Sequence, residues 1–363
     1  MASIDKRPNG RWRARYRERP GGLQRARHFD RKADAERFLA RIQSQLLDGS
    51  YVDPSAGQTT VAEYAAAWQQ SQLHRPTTVA QVEAHLRNHV LPFFGDRPLG
   101  SIRPTEIQAW VRGRAEVLAP ATVEVVYRIF AAILNAAVDD RLLARSPCAG
   151  VRLPRQARHE VQPPTVEQVE ALIDAMPDRY KTLIVLAAGT GLRQGECFGL
   201  TVDRVDFLRR TITVDRQLVL AGTGPPQFGP PKTAASVRTV PLPNVVAESL
   251  AAHLEHWPAG PDGLNFTNER GDPLRRNRFG EIWRAAVSRA GLDRLRYHDL
   301  RHLYASLLIR HGESVKVVQA RLGHASASET LDTYSHLWPD NEERTLAAVD
   351  SILGGANDAR QSS

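Results

Sequence analysis

Basic side chains alternate with aromatic or small ones through Arg11, Trp12, Arg13, Ala14, Arg15, Tyr16 and Arg17, the period-two signature of a half-exposed strand. Pro8-Asn9-Gly10 reads as a turn before it and Pro20-Gly21-Gly22 as a turn after it, with residues 24–29 as the paired strand. The period then changes. Ala35, Phe38, Leu39, Ile42 and Leu46 share one helical face, and Gly49 stops that helix. The pattern predicts a small sheet backed by one helix. After a linker-like stretch at 49–60, Thr60 caps a helix over VAEYAAAWQQS and Thr77-Thr78 open a second through Val90. Thr105 starts a third, and Ala121 to Leu142 carry a long apolar stripe. Prolines 92, 98, 104, 120 and 147 fall between these helices.

A second linker, rich in Pro, Arg and Gln, spans 152–164. Thr165, with Glu167 near the cap, opens the next helix. RYKTLIVLAAGTGLRQGECFGL reads as an apolar helix, a Gly-Thr-Gly break and a short second helix. Residues 202–242 hold strands at RRTITVDR and SVRTVPL around a Gly/Pro-rich stretch, and helices return from Pro243. The expected fold class is multidomain and mainly α with small β-sheets. It divides into a sheet-plus-helix module (1–57), a helical domain (58–152), a mixed α+β domain (165–350) and a flexible tail (351–363).

A length of 363 residues suits two or three domains, and 42% hydrophobic with 24% charged residues is normal for a globular protein. The net charge of +8 suggests a polyanionic partner. Residues 1–47 hold 13 Lys+Arg against 5 Asp+Glu, so the whole excess lies there and the rest is neutral. Two cysteines, Cys148 and Cys197, with no CxxC or zinc-ligand spacing, point to a reducing compartment and no metal or cofactor. No apolar run approaches the roughly 18 residues of a membrane span, and MASIDKRPNG is not a signal peptide. The expectation is a cytoplasmic protein that touches no membrane. The Arg- and Ala-rich composition suggests a GC-rich bacterial source.

The candidate chemistry sits in the second half. Arg193 follows the Thr190-Gly191 break, and Glu196 lies one turn on, able to hold it. A guanidinium there can bond two phosphate oxygens at once. His298 and Arg301, three residues apart, share a helical face. His324 stands at a helix break in Leu-Gly-His, Lys232 near a hairpin in Pro-Pro-Lys-Thr, and Tyr334 in Leu-Asp-Thr-Tyr-Ser-His. Taken one at a time, each has an ordinary structural reading.

In order and frame, GTGLRQGE, PPKTAASVRTVPL, YHDLRH, RLGHAS and LDTYSHL closely resemble the tyrosine recombinases of the phage-integrase type. That family carries Arg, Lys, His-x-x-Arg, His or Trp, and Tyr in this order, and every position matches. The likeness is detailed over 165–345 and looser over 60–150, which resembles a core-site-binding domain. The N-terminal module resembles arm-site-binding domains, with Arg11, Arg13, Arg15 and Arg17 as its DNA-binding face. The resemblance implies that Tyr334 attacks the scissile phosphate to form a 3′-phosphotyrosine. Arg193 and Arg301 would stabilise the charge that builds on the non-bridging oxygens, His324 support the same phosphate or orient its neighbours, His298 accept the tyrosine proton, and Lys232 protonate the 5′-oxygen. His302, Tyr297 and Tyr304 also lie near, and Tyr297 and Tyr304 read as packing residues. The implied partners are duplex DNA at core and arm sites, three further copies in a tetramer whose two DNA-embracing domains clamp the duplex, an excision directionality factor and a DNA-bending host protein. The implied role is integrating or excising a mobile element. The alternatives are a type IB topoisomerase, which shares the chemistry, and a catalytically silent DNA-binding regulator.

Overall fold

The computed structural model describes residues 2–17, 22, 24–47, 51, 56–156, 160–220, 224–338, 346–347 and 349–351. The chain divides into two units, residues 1–157 and 158–363. Part of the expected turn at 20–22, the helix stop at Gly49 and nearly all of the tail lie outside the described residues.

The first unit opens with an antiparallel sheet, β1 (Ser3–Lys6), β2 (Trp12–Arg17) and β3 (Gln24–Phe29), with β2 central. The alternation places Ala14 and Tyr16 of β2 inward, buried against Ala35, Leu39 and Ile42 of α1 (Lys32–Leu47). Arg13, Arg15 and Arg17 therefore take the opposite face. β1 carries no alternation of its own in the sequence, and its pairing comes from the neighbouring strand.

The helical part contains α2 (Val61–Ser71), α3 (Pro76–His85) continuing through a π turn at Leu86–Val90 into α4 (Leu91–Phe94), α5 (Pro104–Ala115) and α6 (Pro120–Asp139). Thr60 caps α2 in a reciprocal box with Glu63. α3, α5 and α6 each begin one residue before the expected start, at a proline. Proline's fixed φ suits the first helical position, where its missing N–H costs nothing. Phe94, Trp110 and Phe130 form the aromatic centre of this core. α6 is long and apolar enough to cross a membrane by those measures alone, contrary to the reading from the sequence. Its Val123, Val126, Phe130, Ile133, Leu134 and Ala137 are buried in the core instead.

The second unit begins with α7 (Val166–Ala175), whose cap Thr165 pairs with Gln168 at the third helical position. α8 (Asp178–Thr190) and α9 (Gln194–Phe198) follow. Then come β4 (Val205–Asp206), β5 (Thr211–Val214), β6 (Gln217–Val219), β7 (Gln227–Gly229) and β8 (Arg238–Pro241). β4, β5 and β8 form one antiparallel sheet, and β6 pairs with β7 in a hairpin within the expected Gly/Pro-rich stretch. The remaining helices are α10 (Asn244–His256), α11 (Arg276–Arg289), α12 (Asp299–Arg310), α13 (Val315–Leu322) and α14 (Ala327–Tyr334). α8 is the hub of the core, packed by α10 and α12. That packing carries the ends of α8, α12 and α13 to one place.

Candidate active site

The site starts from the glycine break. α8 ends at Gly191, which is left-handed at φ 65°, and a Cβ there would meet the Tyr304 ring at 2.4 Å. Only glycine allows this close approach, and it frees the Gly191 carbonyl. Arg301, on α12 and 2% exposed, donates through Nη1 to that carbonyl at 2.7 Å. It donates through Nη2 to the Leu322 carbonyl of α13 at 2.6 Å. Two helix C-terminal ends, where partial negative charge accumulates, thus hold the guanidinium in place. Burial first, then the charges of Arg193 and Arg238, pull Arg301 down to about 9, so it remains a cation at neutral pH.

Arg193 follows directly. Its Nη1 donates to Glu196 Oε1 at 3.0 Å and to Ser236 Oγ at 3.1 Å, and its Nη2 to the Gly323 carbonyl at 3.2 Å. Glu196 is the holder the sequence suggested, and it serves a second arginine as well. Arg238 of β8 donates to both of its carboxylate oxygens, at 3.2 and 2.9 Å, and anchors to the Arg321 carbonyl at 2.8 Å. Burial would raise the Glu196 carboxyl. The Arg238 hydrogen bonds and charge, then Arg193, outweigh it and keep the group below its ordinary value. Glu196 is therefore an anion between two cations in a water-poor site. Arg238 escaped the sequence reading. Its signal was the strand period, since Arg238 falls two residues from the buried Val240 and so points to the same side.

Tyr334 ends α14. It is 1% exposed, and its hydroxyl lies 2.8 Å from His302 Nδ1. Burial lifts the phenol to about 12, against the pull of Arg301 and Arg193. His324 stacks parallel to the Tyr334 ring at 6.4 Å, and its Nδ1 is engaged with the Thr330 hydroxyl at 2.9 Å. Burial, then Arg301, lowers His324 to about 4. The nearby Glu329 at 3.9 Å is accordingly no ion-pair partner at neutral pH. His298 precedes α12 with its ring open to solvent, perpendicular to His302 at 4.9 Å. Desolvation by its neighbours, then His302 and Arg301, holds it below the ordinary imidazole value.

The fold thus gathers Arg193, Glu196, His298, Arg301, His324 and Tyr334, and adds Arg238 and His302. Lys232 is not drawn in. It is exposed, three residues beyond β7, with no hydrogen bond or ion pair to another described residue. Its loop is tied to the site, however. Thr233 Oγ1 lies 2.9 Å from Ser236 Oγ, which accepts from Arg193. Tyr297 packs among Phe198, Phe279 and Trp283, and Tyr304 covers Gly191, so both are packing residues as expected. Among the described residues no group of three His, Cys, Asp or Glu side chains could hold a metal ion. In the N-terminal sheet, Arg13 and Arg15 share Asp5 at 2.8 and 3.3 Å. Arg11, just before β2, pairs with Asp30 at 3.0 Å, and Arg17 donates to the Gly22 carbonyl at 2.6 Å.

Three family models match the chain: the phage integrase family over residues 165–340, a phage integrase N-terminal domain over 2–48, and a phage integrase N-terminal SAM-like domain over 60–113. A prophage phiRv2 integrase of Mycobacterium tuberculosis is 30% identical, over 95% of this chain and 93% of the relative. The integrase of Mycobacterium phage D29 is 27% identical over 82% of each. Among solved structures, the Tn1549 transposon integrase in complex with transposon right end DNA shares the fold. Its TM-score is 0.69 at 22% identity, covering 82% of this chain and all of that one. A lambda integrase tetramer bound to a Holliday junction gives 0.60 at 18% identity, covering 90% and 96%.

Proposed function

The chain belongs to the phage integrase family and is a tyrosine recombinase, a site-specific recombinase; from that premise we propose that it cuts and rejoins DNA through a 3′-phosphotyrosine on Tyr334 to integrate or excise a mobile element. The observation that carries this reading is the enclosure of one tyrosine hydroxyl beside two fixed guanidinium groups and three histidines. Charge builds on the non-bridging oxygens as the phosphate is attacked, and Arg193 and Arg301 are placed to meet it with little reorganisation. His298 and His324 flank the same point. Lys232, exposed on its loop, would swing in as the acid for the 5′-oxygen. The covalent intermediate keeps the phosphodiester energy, so rejoining needs no nucleotide. Because Tyr334 is buried, its hydroxyl has to become accessible before it meets a duplex.

In this reading residues 58–152 and 165–350 engage the core site, and residues 1–57 the arm sites. The active assembly is a tetramer, as in the lambda integrase solved on a Holliday junction. The test is Tyr334→Phe on a suicide DNA substrate. Covalent adduct should vanish while DNA binding persists, since the ring keeps its packing. An adduct that survives would move the nucleophile elsewhere, first to Tyr304.

A further inference from the structure

Tyr334 makes its hydrogen bond to His302, the residue after Arg301, and not to the histidine three residues before it. His298, the residue just before α12, and His302 are four apart, and their rings meet at 4.9 Å, but His298 has no hydrogen bond to the tyrosine. His324 reaches Tyr334 only by parallel stacking, with Nδ1 held by Thr330. The buried phenol is neutral and can donate to the ring or accept from it; transfer of its proton to the ring requires it to donate. His302 Nδ1 must then carry the lone pair, with the ring protonated at Nε2. We propose that His302, through Nδ1, receives the Tyr334 proton at cleavage and returns it at rejoining. This rests on Tyr334 being the nucleophile.

The step balances. The bond from Tyr334 Oη to phosphorus forms and the bond from phosphorus to O5′ breaks. The phenolic proton moves to Nδ1, and the leaving oxygen takes a proton from the acid on its own side. Rejoining runs backwards, with the imidazolium returning its proton to the departing phenolate. The charged and titratable groups around His302 are Asp299 and Arg301 on its own helix, Arg296 and His298 just before it, Tyr334 on α14 and His324 ahead of α14. Desolvation holds His302 at about 4, so it is a neutral acceptor at pH 7, and the negative charge of an arriving phosphate would strengthen it as a base.

The test measures single-turnover cleavage of a suicide substrate by the full chain. His302→Ala should lose about 10²–10⁴-fold in rate, the usual share of a general base, with DNA affinity unchanged. His302→Asn sets an acceptor oxygen near the Nδ1 position but cannot take the proton, and should remain at least about 10-fold slow. Replacing Tyr334 with 3,5-difluorotyrosine lowers the phenol's own pKa and should shrink the deficit of His302→Ala by at least about 10-fold. A wild-type rate in either variant overturns the proposal, and so does an equal deficit with both tyrosines, which would leave His302 only a positioning residue. Tyr334→Phe separates the two readings. If it still forms adduct, the nucleophile is misassigned. If it is inactive while His302→Ala cleaves normally, only the role of His302 falls.

Discussion

At the scale of single residues, the arrangement rests on Glu196, the one carboxylate shared by Arg193 and Arg238. Removing one partner of a buried ion pair typically costs about 3–5 kcal/mol, because the cations are left without a counter-charge. Glu196→Ala should therefore lower the stability of the second unit by about 3 kcal/mol, read from its denaturant midpoint, and should also slow cleavage, because Arg193 loses its anchor. A variant with the wild-type midpoint would show that the two arginines find other partners. Lys232 poses the opposite case, an exposed side chain with no hydrogen bond or ion pair to another described residue. If it is the acid, Lys232→Ala should cleave slowly on ordinary DNA and be rescued by a 5′-bridging sulfur, whose better leaving group needs no proton. Equal loss on both substrates would make it a binding residue. The six family positions were legible because each stands in a distinctive local frame. Arg238 was not, and His302 was read only as lying near the set, since their meaning lies in partners 42 and 32 residues away, Glu196 and Tyr334.

At the scale of elements, helix starts were read well where a side-chain cap stood, as at Thr60 and Thr165. They slipped by one residue where proline opened the helix. β1 and the β6–β7 hairpin escaped because each is four residues or fewer per strand and draws its stability from its neighbour. The two buried histidines beside Tyr334 also set a pH response. His302 and His324 are each 7% exposed and held at about 4, below the ordinary 6.5. The unfolded chain therefore binds more protons between those values, and stability that is full above about pH 6.5 falls as pH falls through the interval. The loss should be on the order of a few kcal/mol by pH 4. It is measurable as a falling melting temperature of the full chain between pH 7 and pH 5. His302→Gln, which cannot protonate, should flatten that slope, and an unchanged slope would assign the effect to other groups.

At the scale of the whole molecule, charge divides the chain more sharply than length does. The positive excess sits in residues 1–47, whereas the remainder is balanced. The sequence foretold a basic strand face but not its moderation. Arg13 and Arg15 are partly neutralised by Asp5 on the adjoining strand, a pairing visible only once β1 is in register with β2. Deleting residues 1–50 should therefore remove tight binding to arm DNA and leave cleavage of an isolated core site intact. For every phosphate that the truncated protein no longer neutralises, the log–log salt dependence should flatten by roughly one unit. Asp5→Asn in the full chain should do the reverse, tightening arm binding and steepening its salt dependence by freeing two guanidinium groups. Gel-shift titrations at several salt concentrations, with arm and core duplexes as separate probes, measure both. Truncated protein that binds arm DNA as tightly as the full chain, or that fails on a core suicide substrate, would place the arm-binding surface outside this module. Arm binding unmoved by Asp5→Asn would mean that DNA already displaces the carboxylate and that the pairing orients the arginines without restraining them.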